Sequence, residues 1–232
     1  VGEPSISPNR HPEIASINDL LEMVSHVRWV TGKPVGFKLV LGSTDWLDDF
    51  CEAMIARGLE EAPDFITLDS SDGGTGAAPM PLIDSVGLPL RESLPALVNK
   101  LIMHGLRERI KIVASGKCIN PTDVAAALCL GADFCVSARG FMFALGCIQA
   151  LQCNKNTCPT GITTHNKDLQ RGLVPEQKSV RVANYHRHLV NEVEMIAHAC
   201  GVSEPRKLSR KHAAIVIDSG RSVPLDILYP EF

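Results

Sequence analysis

Three cysteines close together in the chain, Cys147, Cys153 and Cys158, are the residues best suited to chemistry. Their spacing, C-x5-C-x4-C followed by proline, differs from the paired C-x2-C knuckles of structural zinc sites. Neighbouring thiolates repel one another unless a cation binds them, and sulfur is a preferred ligand of soft metals and iron–sulfur clusters. Because only three such ligands lie close together, the triplet favours a three-iron cluster over one with four ligands. Two alternatives are buried cysteines that act as small hydrophobic side chains and a zinc site completed by His165 or water.

The composition of the 232 residues is that of a soluble globular protein with room for one substantial domain. Hydrophobic residues make up 45% of the chain and charged residues 21%. The formal net charge of −3 argues against an extended nucleic-acid surface, so we expect no nucleic-acid partner. Eight cysteines without a signal peptide or a membrane-spanning apolar run predict a reducing, cytoplasmic location.

Short apolar segments alternate with amphipathic ones along the chain, a pattern that predicts four strand–helix units. The strands are predicted at 34–41, 64–70, 109–116 and 132–140. The helices are predicted at 17–31 (with Ser16 as N-cap), 46–56, 94–104, 121–131 and 175–200. The cysteine segment is expected to begin on a helix and to leave it near Asn154.

Strands of this kind, alternating with helices, form a parallel sheet covered by helices, as in a (β/α)8 TIM barrel or a doubly wound sheet. Polar and glycine-rich residues follow the C-terminal ends of all four strands, which is where a barrel builds its active site. An open sheet concentrates its ligand residues at one switch point. We therefore expect an α/β fold of the (β/α)8 TIM-barrel type.

Only four of the eight strands of a barrel are visible. Residues 1–232 are therefore expected to be a single domain that forms mainly the C-terminal half of the barrel, the last four β/α units. It also contains the iron–sulfur segment 147–158 and a C-terminal helix. The sequence begins with Val1 and not with methionine, and residues 1–12 resemble the interior of a longer chain. We therefore expect these residues to be part of a longer protein.

Two neighbouring strand ends have residues suited to binding a phosphate. After the third strand, Ser115 and Gly116 come just before a helix start, and glycine allows the backbone to approach an anion. After the fourth strand, the segment SARGF also leads into a helix, and Arg139 adds a positive charge. Either segment alone is a weak signal, because glycine turns follow most strands. Together they predict a phosphate site.

A glycine-rich loop and a lysine complete the candidates. The loop SSDGGTGAAP at 70–79 lacks the Lys-Ser/Thr ending of a phosphate loop, but its glycines permit a close approach to a planar ligand. The alternative is a flexible surface loop. Lys38 lies in an otherwise apolar strand, where a buried ammonium is costly unless it meets an anion. The alternative is a solvated lysine at an exposed strand end.

These motifs resemble those of a known family, the synthase domain of glutamate synthase and its standalone FMN-binding relatives. The segments ISPNRHPEI, GKPVGFKLV, SSDGGTGAAP, VASGK and ALGCIQALQCNKNTCPTG occur in the family's order and extend to Gly161. The DGGTG loop together with the cysteine triplet makes the resemblance specific. It implies an FMN-binding (β/α)8 barrel and a [3Fe–4S] cluster bound by Cys147, Cys153 and Cys158.

The resemblance also implies roles for the other candidates. Lys38 would lie near the flavin ring and the substrate carboxylate, and the DGGTG loop would border the substrate pocket. We expect Lys38 and Asp72 to be catalytic. The residues expected to bind the cofactor are Lys38, Gly73, Gly74, Thr75, Gly76, Ser115, Gly116, Ala138, Arg139 and Gly140.

In the family that the sequence resembles, electrons from ferredoxin or a reductase subunit pass through the cluster to FMN. The reduced flavin then converts 2-iminoglutarate, formed from 2-oxoglutarate and ammonia, to glutamate. We recognise neither an amidotransferase domain nor the first half of the barrel within residues 1–232, and the segments VASGKCINPTDV and VSARGFMFALG are nearer the standalone relatives. A related imino or keto acid therefore remains open as the substrate. So does a non-catalytic half-barrel that binds flavin only with a partner chain or a second copy.

Overall fold

The computed structural model describes residues 11–72, 80–218 and 220–231 and contains a four-stranded parallel sheet. Its strands are β1 (Gly36–Val40), β2 (Phe65–Asp69), β3 (Lys111–Ser115) and β4 (Phe134–Val136). They lie in the order β1-β2-β3-β4, and each neighbouring pair is parallel. A doubly wound sheet reverses its strand order at a switch point. The sequential order therefore confirms the expected α/β fold of the (β/α) barrel type.

Helices connect the strands and continue beyond the sheet. They are α1 (Ile17–Thr31), α2 (Leu47–Arg57), α3 (Leu90–Met103), α4 (Pro121–Cys129), α5 (Ala138–Leu145), α6 (Lys167–Gln170), α7 (Pro175–Ala199) and α8 (Leu225–Leu228). Short 3₁₀ turns lie at Met80–Leu82, Cys153–Lys155, Pro205–Lys207 and Arg210–His212. A hairpin of β5 (Ala214–Val216) and β6 (Ser222–Pro224), which the sequence pattern does not predict, precedes α8. Among the described residues, no helix has the length and apolar character needed to cross a membrane.

The two faces of the sheet differ in burial. Ile66, Leu68 and Ile112 lie on one face and are fully buried in the hydrophobic core. On the opposite face, large apolar side chains remain exposed: 46% for Val40, 45% for Phe134 and 42% for Val136. In a closed barrel this second face lines a packed interior. The described residues thus form part of a barrel whose inner face is open.

Local sequence signals explain where several helices begin. Ser16 and Asp19 form a capping box at the start of α1, and Asn120 and Asp123 form another at the start of α4. Pro121 occupies the first turn of α4, where no backbone N–H is required. The helix predicted at 17–31 and its Ser16 cap are confirmed.

Three predicted boundaries are wrong by more than two residues. Helix α3 begins at Leu90 and not at residue 94, because the Asp72 carboxylate accepts the Leu90 N–H at 2.7 Å and caps the helix from a distant loop. Strand β4 stops at Val136, so the predicted strand end 138–140 belongs to α5. Helix α5 ends before Gly146, which has φ 101°, and Cys147 therefore follows the helix instead of lying on it.

Asp64 ties the sheet to helix α1 through one carboxylate. It accepts hydrogen bonds from the Val35 N–H at 2.7 Å, from Arg28 Nε at 3.1 Å and from an Arg109 guanidinium nitrogen at 2.9 Å. Burial raises the pKa of this carboxyl, but the Val35 N–H and the two guanidinium groups lower it more. The resulting pKa lies below the ordinary value of 3.8.

We expect Asp64→Asn to lower the free energy of unfolding by about 2–3 kcal/mol at pH 7, because two guanidinium groups lose their charge partner. Because the folded-state pKa is lowered, the carboxylate's contribution is complete above the unfolded-state pKa and is lost as the pH falls through the folded value. Urea unfolding at several pH values should show the difference between the two proteins narrowing below about pH 4. Asp45→Asn, at an exposed position, is the control. An equal effect of the two substitutions would contradict the prediction.

Candidate functional site

A cavity of about 670 Å³ opens at the C-terminal edge of the sheet. Asp69, Ser115 and Val136, the last residues of β2, β3 and β4, line it together with Lys38 of β1. Its volume is within the range of cofactor and small-molecule sites. The carboxyl ends of parallel strands are also where the active sites of (β/α) barrels lie. The cavity is therefore the candidate functional site.

The charges in the cavity wall favour an anionic ligand. Of the described residues that line the cavity, Lys38, Lys117 and Arg139 are cationic, and Asp69 alone has a carboxylate. Lys117 has φ 47° and its ammonium lies 2.8 Å from a carboxylate oxygen of Asp84. A concave surface with an excess of positive charge concentrates anions such as phosphates and carboxylates.

Lys38 is held by a carboxylate that the sequence analysis missed. Its Nζ donates to Asp69 Oδ2 at 3.1 Å, and Ser115 Oγ donates to Asp69 Oδ1 at 3.0 Å. The Lys38 side chain is 65% exposed, so the premise that its strand buries it is wrong. The strand register offers a signal for Asp69: Lys38 lies opposite Thr67, and Asp69, two residues further, points to the same face.

Asp72, predicted to be catalytic, is not among the residues that line this cavity. Its Oδ2 accepts hydrogen bonds from the Leu90 N–H at 2.7 Å and from Ser70 Oγ at 3.1 Å. These contacts give Asp72 a structural role at the start of α3. Of the predicted cofactor-binding loop, Gly73, Gly74, Thr75 and Gly76 lie outside the described residues.

The two predicted phosphate segments meet at the cavity. Ser115 and Gly116 line it from one side, and Ala138 and Arg139 line it from the other, whereas Gly140 does not contribute to the wall. Ser137, the N-cap of α5, makes no side-chain hydrogen bond to the start of that helix. The N-terminus of α5 thus lacks a side-chain cap at a cavity edge, an arrangement that suits an anion.

Both glycines have packing reasons as well. A Cβ at Gly116 would meet Ser70 Oγ and would come within 2.9 Å of Leu90 Cβ. A Cβ at Gly140 would collide with the hydroxyl group of Tyr185 on α7. The absence of a side chain at these positions therefore lets neighbouring elements pack closely, which the phosphate hypothesis alone does not require.

Tyr185 connects the two helix starts beside the cavity. Its hydroxyl donates to the Ile119 carbonyl oxygen at 2.7 Å and lies 3.0 Å from Ser137 Oγ. Ile119 comes just before α4, and Ser137 comes just before α5. The long helix α7 therefore fixes the relative positions of the starts of α4 and α5.

All three cysteines of the predicted cluster, Cys147, Cys153 and Cys158, line the same cavity. Within the described ranges, no three His, Cys, Asp or Glu side chains form a group that would bind one metal ion. A multi-iron cluster does not require such a group, because its ligands bind different metal atoms. The structure thus brings the cysteines to one cavity without forming a single-ion site among the described residues.

The surroundings of Cys158 suit a sulfur ligand. Burial raises the pKa of the Cys158 thiol, but hydrogen bonds from the Thr160 side chain and the Thr163 backbone outweigh burial and lower this pKa to about 6. The side-chain hydroxyl of Thr163, which is also in the cavity wall, likewise lowers this pKa. Donors around the thiol favour its thiolate form, which is the form that binds a metal.

The backbone between the first two cysteines is strained. Gln149 has φ 55° and Leu151 has φ 52°, a left-handed conformation that non-glycine residues other than Asn and Asp rarely adopt. The Gln149 N–H donates to Cys147 Sγ at 3.4 Å. Strain of this kind is concentrated at binding and catalytic sites. The sequence pattern does not predict it.

The fold and the cavity define the class of protein: a parallel α/β protein of the barrel type with an anion-attracting, cysteine-lined site at the strand ends. Residues 1–203 match the model of the conserved region in glutamate synthase. The chain belongs to the glutamate synthase family.

Several members of this family are similar over most of the chain. The glutamate synthase large subunit-like protein YerD of Bacillus subtilis is 42% identical over 226 residues, which are 97% of this chain and 43% of that protein. The archaeal glutamate synthase [NADPH] of Methanocaldococcus jannaschii is 34% identical over 210 residues, 89% of this chain and 40% of that protein. The chain thus spans less than half the length of these relatives.

Among solved structures, a mutant flavocytochrome b2 with pyruvate bound superposes with a TM-score of 0.48 at 17% identity. The match covers 84% of this chain and 36% of that one, and it is too distant to support an inference.

Proposed function

We propose that this chain contributes the strand-end site of a glutamate synthase-like oxidoreductase that uses FMN and a [3Fe–4S] cluster. The proposed substrate is 2-iminoglutarate, from 2-oxoglutarate and ammonia, or a related imino or keto acid. The observation that carries the proposal is that Lys38, residues of both predicted phosphate segments and all three cysteines line one cavity. These residues come from β1, from the ends of β3 and β4 and from a later loop, and a purely structural role does not require them to meet.

The volume and the charged groups of the cavity wall suit FMN. Arg139 and the N-terminus of α5 would hold the phosphate, because they offer N–H donors and positive charge, and Gly116 would let it approach the backbone. The Ser115 hydroxyl already donates its one proton to Asp69. Apolar side chains of the same wall, Met142 and Phe143, would lie against the flavin ring. FMN accepts electrons singly and delivers them in pairs, which suits a pathway fed by an iron–sulfur cluster.

The cysteines would hold the cluster, and Lys38 would act on the substrate side. Cys147, Cys153 and Cys158 would supply three thiolates, and the Thr160 and Thr163 side chains, which lower the pKa of Cys158, would donate to its sulfur atom. The Lys38 ammonium would bind a substrate carboxylate and offset negative charge that develops beside it. An electron donor such as ferredoxin or a reductase subunit is part of this proposal.

A second candidate follows from the open inner face of the sheet. Val40, Phe134 and Val136 are each more than 40% exposed there, although a barrel buries this face. This observation favours a chain that retains flavin only when further strands, from a partner chain or a second copy, cover the face. The domain range 1–232 would then be one half of a composite barrel.

Anaerobic purification of the full chain tests both candidates. The absorption spectrum should show flavin bands over a broad iron–sulfur shoulder, with iron, acid-labile sulfide and FMN assayed in the same sample. Iron and sulfide without FMN would favour the second candidate. Neither cofactor in a folded protein would contradict the proposed function.

A further inference from the structure

We propose that Asp69 is a positioning residue, whose carboxylate holds the Lys38 ammonium at the cavity wall. This inference rests on the proposed function for its consequence, but its geometry is independent of any cofactor. Asp69 Oδ2 lies 3.1 Å from Lys38 Nζ, and Asp69 Oδ1 accepts from Ser115 Oγ at 3.0 Å. One carboxylate at the end of β2 thus connects the two strands on either side, β1 and β3.

The need for such an anchor follows from the exposure of Lys38. A lysine side chain that is 65% exposed has many rotamers, and fixing it costs conformational entropy. The Asp69 side chain is only 28% exposed and is fixed by its second hydrogen bond to Ser115. An ion pair whose acceptor is already ordered loses less entropy than one between two mobile side chains. Ser115 orders Asp69, and Asp69 in turn orders Lys38.

The charge of Asp69 makes a purely electrostatic alternative testable. A carboxylate in the cavity wall would repel the negative charge of a reduced flavin, so removing that charge alone should raise the flavin reduction potential. If Asp69 instead positions Lys38, removing it releases the cation that stabilises this charge. The potential should then fall. The two roles therefore predict opposite signs for Asp69→Asn.

The first measurement needs no flavin. Limited acetylation of the full chain, followed by peptide mass spectrometry, reports how readily each lysine reacts. Lys38 must break its bond to Asp69 to react, so it should acetylate several-fold more slowly than exposed Lys33 in the wild type and at a similar rate to Lys33 in Asp69→Asn. Lys100, whose ammonium lies 2.7 Å from Asp48, is the internal control and should stay slow in both proteins. An unchanged Lys38 rate in Asp69→Asn would overturn the proposal.

The second measurement uses the flavin-loaded protein in a double-mutant cycle. Asp69→Asn should lower the reduction potential of bound FMN in the wild-type background and lose this effect in the Lys38→Met background. Asp69→Glu should restore part of the wild-type potential, because it returns the charge. A rise of the same size in both backgrounds would overturn the positioning role. Absence of FMN from the wild type would contradict the proposed function instead, and the acetylation result would still decide the role of Asp69.

Discussion

Replacing Cys153 with serine is expected to remove the iron and the acid-labile sulfide from the protein. Serine is close in size to cysteine, but its hydroxyl oxygen is a poor ligand for the iron of a sulfide cluster. Cys153 begins a short 3₁₀ turn and shares the cavity wall with Cys147 and Cys158. Loss of one ligand of three should reduce the iron content from about three atoms per chain to nearly none.

Cys200→Ser provides the matched control for this experiment. Cys200 is also partly buried, but it lies at the C-terminal end of α7 and is not among the residues that line the cavity. This variant should keep its iron and sulfide. Circular dichroism should show the same secondary structure in wild type and both variants. Stoichiometric iron in Cys153→Ser would contradict the cluster assignment, and loss of iron from both variants would indicate a general effect on stability.

Replacing Lys38 with methionine should decrease turnover by about 10²–10³-fold, because the cation that we propose to face the developing negative charge is lost. FMN retention should change by less than about tenfold, since Arg139 and the start of α5 remain. Turnover would be measured with a chemically reduced dye as electron donor and 2-oxoglutarate plus ammonia as substrates. FMN binding would be measured by fluorescence.

Lys33→Met separates this effect from a general loss of positive charge. Lys33 is exposed and is not among the residues that line the cavity, so the variant should match the wild type in both measurements. An equal loss of turnover and FMN binding in Lys38→Met would identify a structural lysine. Unchanged turnover would remove Lys38 from the proposed chemistry.

The sequence predicts the elements of this fold better than their junctions. Helix α1 has the predicted bounds, because the Ser16 and Asp19 capping box marks its start and the residue after its end is Gly32 with φ 62°. The segment after β4 has no comparable local signal. Gly140 is unfavourable inside a helix, and α5 forms there because its glycine lets Tyr185 of α7 pack closely. That contact joins residues far apart in sequence, so a local pattern does not contain it.

In the candidate site, likewise, the types of the residues are easier to predict from the sequence than their roles. The types of its residues, a lysine in an apolar strand and a cysteine triplet, are visible in the sequence, and the structure places Lys38 and all three cysteines in one wall. The partition of roles among Asp69, Ser70, Ser71 and Asp72 is not visible, because four polar residues in a row offer no local distinction. The strand register places the Asp69 carboxylate beside Lys38, whereas the Asp72 carboxylate accepts a hydrogen bond from the first N–H of α3.

The Tyr185 hydroxyl has a consequence for how this protein can be divided. The cavity wall ends at Thr163 in the sequence, yet the group that fixes the starts of α4 and α5 belongs to the later helix α7. A fragment that ends just after Thr163 would keep every described residue of the cavity wall but would lose Tyr185, which fixes the starts of α4 and α5. The smallest unit that can be transferred to another protein by recombination or protein engineering must therefore extend through α7, beyond the residues that line the cavity.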